Sequence, residues 1–280
     1  MERQRWWSKD IRLLACCDGL LLICYAEETH YQLLICNPIT GSHTRLPIFR
    51  PSNIQDFRLR IATIPYEWAI VRSASIGQYK VFAIEKLCLS QRKCYVFELP
   101  RGRRRPFEHD WKELEVPLPK RWLIEASTTV RGKVCWLSTK LDGEDYHQTV
   151  KLLSIDILNE EFRTTVSVRT LWPLGHYFAS SGTFYCTQQW DGQLRLWILD
   201  NFDDPTWVEH RGIHSPDHPV PLEHAVVLGG AKLIMGFNCL TFMFDMISKE
   251  FKPVGLGSDC SLISSAKKAL PFVSSLVSCG

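Results

Sequence analysis

The segment HRGIHSPDHPVPLEH gathers four imidazoles, at His210, His214, His218 and His224. Spacings of four would set such side chains on one helical face, where they could ligate zinc. Gly212, Pro216, Pro219 and Pro221 exclude a helix there, so the segment reads as an extended connector with loop histidines. No metal and no cofactor is expected. Carboxylates occur in adjacent pairs, Glu27 with Glu28, Glu160 with Glu161 and Asp203 with Asp204. Each pair falls in a turn, where solvated charge accounts for it. No serine or cysteine stands in a recognisable activating context, and no glycine-rich loop follows a strand, so no catalytic residue is assigned.

Two features suit binding better than catalysis. The run RGRRR places Arg103, Arg104 and Arg105 in an insertion, RGRRRPFEHD. Such a block serves as a patch for an acidic partner, a phosphate contact or a nuclear-import signal, or is simply solvated. Trp68, Trp122, Trp136, Trp190 and Trp197 could anchor a protein ligand, because aromatic side chains dominate interface hot spots. Trp136 and Trp197 lie mid-strand and are expected in the core, whereas Trp190 stands beside the turn Asp191-Gly192. Arg103, Arg104, Arg105, Trp190 and Trp68 are therefore the candidate partner-binding residues.

These residues belong to a chain of 280, long enough to bury a core without disulfides or metal. Hydrophobic residues make up 45% and charged residues 22%, which excludes a disordered, collagen-like or polytopic membrane protein. Thirty-three basic against 30 acidic side chains leave a net charge of +3, too small to argue for nucleic acid. The eleven cysteines are odd in number, lack any CxxC pair, and mostly sit singly in apolar runs. That pattern suits buried free thiols, and so the cytoplasm or nucleus. Asp18 and Gly19 interrupt the apolar run near the N-terminus, so neither a signal peptide nor a membrane span is expected.

Helical periodicity is absent. Short runs rich in β-branched and aromatic residues recur instead, among them LLLICY, YQLLIC, YKVFAIEKL, KCYVFEL, KVCWLST, TVKLLSID, QLRLWILD and LTFMFD. Internal repetition orders them. LLSIDILNEEFR aligns with TFMFDMISKEFK: an apolar strand, then Asp156 or Asp245, then Glu161 or Glu250, Phe162 or Phe251, and a basic residue. Gly-led strands precede each, and a third copy carries Trp207 in place of Phe. More degenerate copies carry Asn37 at the turn and Trp111 at the outer strand. Four strands per unit at a period of roughly 40 to 50 residues predict β-propeller blades. The fold class is all-β: one propeller over residues 11–280 with five recognisable blades and about six in the ring, behind a short extension, 1–10.

The segment order resembles the F-box-associated domain of plant F-box proteins, relatives of Kelch-type propellers. The resemblance rests on CCDGLLLIC (from Cys16) and ICNPITGSHTRLP (from Ile35), then YKVFAIEKL, CYVFEL and Trp111. It continues through GKVCWL, LLSID, EEF, GTFYC, LWILD and Trp207 to the tail LPFVSSLVS, covering about residues 12–278. It implies a non-enzymatic domain that recognises a protein target for an SCF-type ubiquitin ligase, without nucleic acid or membrane as partner. Only MERQRWWSKD precedes the first strand, about 15 Å if helical, so no three-helix F-box is expected, nor direct binding to the ligase adaptor. The alternatives are a propeller enzyme acting on glycans, which would need carboxylates or histidines converging on a central channel, and a truncated, non-functional family member.

Overall fold

The computed structural model describes residues 11–26, 31–49, 66–73, 77–86, 91–99, 110–140, 148–170, 175–190, 193–202, 205–214, 222–228, 232–237, 240–248 and 250–253. These form twenty strands and no helix, in five four-stranded antiparallel sheets, each built from four consecutive strands. The first sheet holds β1 (Ile11–Cys17), β2 (Leu20–Ala26), β3 (Tyr31–Cys36) and β4 (His43–Arg45); the second holds β5 (Tyr66–Arg72), β6 (Tyr79–Glu85), β7 (Lys93–Glu98) and β8 (Lys112–Glu115). The third comprises β9 (Trp122–Val130), β10 (Lys133–Lys140), β11 (Gln148–Asp156) and β12 (Phe162–Thr170). The fourth comprises β13 (His176–Ser180), β14 (Thr183–Trp190), β15 (Gln193–Leu199) and β16 (Val208–His214). The fifth comprises β17 (Leu222–Leu228), β18 (Lys232–Phe237), β19 (Leu240–Asp245) and β20 (Phe251–Pro253). These are propeller blades. The tail LPFVSSLVS lies outside the described residues.

Two turn designs recur among the blades. Between the first two strands of the first, third and fourth blades stands a two-residue turn with both φ angles positive: Asp18-Gly19 (48° and 75°), Arg131-Gly132 (47° and 77°) and Ser181-Gly182 (49° and 82°). Such turns match the right-handed twist of the strands they join, and glycine takes the second position without strain. Between the third and fourth strands of the first, third and fifth blades an Asn or Asp bonds the backbone ahead of it. Asn37 Oδ1 accepts the N–H of Ile39 at 2.9 Å and of Thr40 at 3.3 Å. Asp156 Oδ1 accepts Leu158 at 2.8 Å and Asn159 at 3.3 Å, and Asp245 Oδ1 accepts Ile247 at 2.9 Å and Ser248 at 3.0 Å. The N–H groups of Ser248 and Ile247 hold the Asp245 carboxyl below its ordinary value. The repeat read from sequence is thus a repeat of hydrogen bonds.

The outer-strand aromatics also recur. Phe162 and Phe251 open β12 and β20, while Trp111 and Trp207 stand one residue ahead of β8 and β16. The aligned frame predicts equivalent buried positions on the outer strands for Phe162, Trp207 and Phe251. Phe162 and Trp207 are only half-buried, because the last strand of a blade leaves one side of each ring to solvent. The Phe251 side chain is outside what is described.

The chain forms two compact units, one built on β1–β8 and the other on β9–β20 with Lys86–Arg92. In the first unit, Phe49 is buried at the centre of an aromatic cluster. Its ring meets Tyr66, Trp68 and Tyr95 at 5.1 Å and Trp111 at 4.9 Å, all edge-on. The Trp111 indole N–H donates to the Pro47 carbonyl at 3.3 Å. In the second unit one core gathers Leu137, Val150, Leu152, Phe184 and Leu199, and another gathers Leu196, Leu233, Met235 and Phe244.

Candidate functional site

Among the described residues of the second unit lies a cleft of about 770 Å³. Its position follows from strand register. The tight turn at Arg131-Gly132 sets Val130 opposite Lys133, and side chains two apart on β10 share a face, so Lys133 and Cys135 point the same way. Cys135 pairs with Ser154 on β11, and Ser154 pairs with Arg163 on β12. Lys133, Cys135, Ser154 and Arg163 therefore line one side of the sheet. The segment after β15, Asp200-Asn201-Phe202, supplies the other wall.

The floor is apolar. Leu152 and Cys135 are buried, and the half-buried ring of Phe202 rests edge-on against Phe184, 5.6 Å between centroids. The rim is cationic: Arg131, Lys133 and Arg163 line the cleft, against the single carboxylate of Asp200. Arg131 and Arg163 are exposed and Lys133 is half-buried. Ser154 Oγ donates to the Arg163 carbonyl at 3.4 Å, fixing β11 to β12 beneath the rim.

The thiol in this cleft is chemically quiet. Burial pushes the Cys135 pKa up to about 12, and the neighbouring Lys133 charge only partly opposes that. Since the thiolate is the nucleophile, the group is inert at neutral pH. The same burial raises Cys24 and Cys186 to about 12.

The residues singled out in the sequence fare differently. Trp68 is no surface anchor: it is 3% exposed and packed in the aromatic cluster of the first unit. Trp122 and Trp136 are likewise buried, and Trp197 is half-buried against its neighbours' core. Trp190 closes β14 opposite Gln193. Arg103, Arg104 and Arg105 lie outside the described residues, as do Glu27, Glu28, Asp203, Asp204 and His218. Glu160 and Glu161 occupy the turn before β12, where the Asn159 amide donates to Glu161 Oε2 at 3.1 Å. His210 and His214 belong to strand β16 and His224 to β17, so HRGIH is an outer strand and not a connector. Among the described residues no three His, Cys, Asp or Glu side chains gather as a metal site would require.

The cleft cations went unnoticed in the sequence because they are dispersed. Lys133 and Arg163 are brought together only by the pairing of β10, β11 and β12. One hint was available: Arg163 fills the basic position that closes the repeated frame, as Lys252 does in the last blade.

The sequence matches the F-box associated beta propeller domain over residues 4–232. No curated protein matches it in sequence. Among solved structures, the Penicillium chrysogenum alpha-L-arabinanase complexed with arabinobiose is similar in fold, with a TM-score of 0.51 at 11% identity, covering 87% of this chain and 79% of that one. The Aleuria aurantia lectin matches with a TM-score of 0.47 at 12% identity over 89% and 78% of the two chains. The β-propeller domain of the Trilobed protease from Pyrococcus furiosus matches at 0.45 and 10%, over 85% of this chain and 66% of that chain. At such identities the likeness is one of fold.

Proposed function

Because the chain belongs to the F-box-associated β-propeller family, matched over residues 4–232, we propose that it is a protein-recognition module that holds its target in the cleft of the second unit. In family terms it acts as the target-binding half of an SCF-type ubiquitin-ligase subunit in the cytoplasm or nucleus, and other subunits carry out any ubiquitin transfer. The observation that carries this reading is the build of the cleft: a closed apolar floor under a charged rim, the layout of a binding pocket.

A non-enzymatic role fits the groups present. Glycoside hydrolysis calls on a pair of carboxylates flanking the scissile bond, and Asp200 is the single carboxylate among the described cleft residues. The Cys135 thiol is held protonated. The fold shared with the arabinanase carries no residue of its chemistry to this chain at 11% identity.

Site-specific photocrosslinking in cells tests the reading. A benzophenone side chain at Thr164, on the cleft rim, should yield a defined protein adduct. The same group at Lys112, an exposed residue of β8, should not. Equal adducts from both positions, or none from Thr164, would sink it.

A further inference from the structure

We infer that the cleft takes an acidic segment of its partner, an extended peptide that sets a carboxylate or phosphate against Lys133 and Arg163 and an apolar side chain against Leu152 and Phe202. The inference rests on the recognition reading of this same cleft and adds its ligand chemistry.

Several strand-borne cations elsewhere in this protein are ion-paired. Lys80 meets Glu98 at 2.8 Å, Lys93 meets Glu113 at 2.7 Å, and Arg195 lies 3.8 Å from Glu209. In each case the register places a carboxylate across or beside the cation. The outer strand of the last blade follows suit, with Lys252 at 2.7 Å from Glu250. Arg163 occupies the equivalent position in the third blade, and Glu161 stands two residues before it as Glu250 does before Lys252. Yet Glu161 is turned to the Asn159 amide, and among the described residues Arg163 forms no ion pair. Lys133 forms none there either, although Asp156 is its register partner; the Asp156 Oδ1 accepts two turn N–H groups. Both neighbouring carboxylates hydrogen-bond within turns and neither ion-pairs with the rim.

The excess of charge is local. The lining sets Lys133 and Arg163, neither ion-paired among the described residues, against one carboxylate, Asp200. Charges beside a low-dielectric wall focus their field into the cleft, so an anion gains more there than over open surface. The floor adds an apolar requirement, because Leu152 and Phe202 can be covered only by a nonpolar group. Nucleic acid fits poorly. Binding a single strand calls for a basic groove tracking the backbone with aromatic platforms along it, whereas this is one confined cleft with one ring. Asp200 sets the opposite polarity on the far wall and gives the peptide a direction.

The test is fluorescence anisotropy of the full chain with dye-labelled peptides of one design, a central leucine flanked by glutamate, phosphoserine, serine or lysine. The glutamate and phosphoserine peptides should bind, more weakly as salt rises, while the serine and lysine peptides should not. Much tighter binding of phosphoserine would identify phosphate as the source of the anion, and parity would identify the carboxylate; either supports the inference. The double variant Lys133→Glu, Arg163→Glu should weaken binding at least about tenfold with its melting temperature unchanged, and Asp200→Asn should strengthen it. Equal binding of the serine peptide would overturn the inference, as would indifference to the double charge reversal. Equally tight binding of a single-stranded oligonucleotide or heparin would do the same. If acidic peptides fail while the Thr164 crosslink still forms, the ligand chemistry alone is wrong. If both fail, recognition at this cleft is wrong.

Discussion

The aromatic cluster around Phe49 and the cleft beside Phe202 put the same side chain to opposite uses. Phe49 is 1% exposed and touches four other rings at 4.9 to 5.1 Å, with nothing left over for a partner. Phe202 meets one ring, Phe184, and keeps part of its surface on the cleft wall. In the first case the sheets close on the aromatics; in the second they stop short and charged residues line the opening. A buried aromatic cluster and a cleft-lining ring thus differ in how much surface they leave open, not in residue type.

The sharpest way to break that contrast is truncation. Phe49→Ala should lower unfolding free energy by about 3 to 5 kcal/mol, the cost of removing a fully buried ring. Phe202→Ala should cost about 1 kcal/mol, typical of a partly exposed site. Chemical denaturation of both variants measures this, and equal losses would erase the distinction.

Turn chemistry sharpens the comparison one step down. Asn37 is fully buried and Asp156 is not, though both bond the backbone two and three residues on. Asn37→Ala should cost about 1 to 3 kcal/mol, because a buried side chain and its two part-buried hydrogen bonds are lost. Asp156→Ala should cost about 1 kcal/mol or less, and Asp156→Asn close to nothing, since Asn37 already performs that role.

Thiol ionisation gives the next smaller effect. The Cys135 pKa is raised from 9.0 to about 12, so the folded state favours the protonated thiol more than the unfolded state does. That contribution is fully present below pH 9.0 and drains away as pH climbs towards 12. Iodoacetamide should accordingly spare Cys135 in the native protein at mildly alkaline pH and label it in urea; native labelling as fast as in urea would contradict its burial. Smallest of all should be the stability change of Lys133→Glu with Arg163→Glu, within about 0.5 kcal/mol at each exposed or half-exposed position. A large drop in melting temperature would mean the rim is structural.

The middle strands of the blades were the most legible part of the sequence. All eight runs first read as strands prove to be second or third strands: β2, β3, β6, β7, β10, β11, β15 and β19. Their legibility has a physical cause. Both faces of these strands are covered, as in β6, where every residue after Tyr79 is buried, so they read as near-continuous apolar runs. Edge strands such as β8 (KELE) and β4 (HTR) are short and mostly exposed, and carry no such mark. Asn37, Asp156 and Asp245 were found because their local hydrogen bonding is written into one residue type. The cleft was not, since it depends on which residue of β11 faces which of β10 and β12, and register is a property of pairs of strands.

The Asx-held turns leave one position over. The residue two beyond each capping side chain, Ile39, Leu158 and Ile247, is 56%, 57% and 81% exposed. The turn is shaped by its first residue, so the tip owes nothing to packing and its identity is free to drift. A family built on such blades can diversify its contact surface one tip at a time while the sheets beneath stay unchanged, much as a printing block keeps its body while its type is reset. Randomising those three positions should yield folded libraries, making the chain a ready display scaffold.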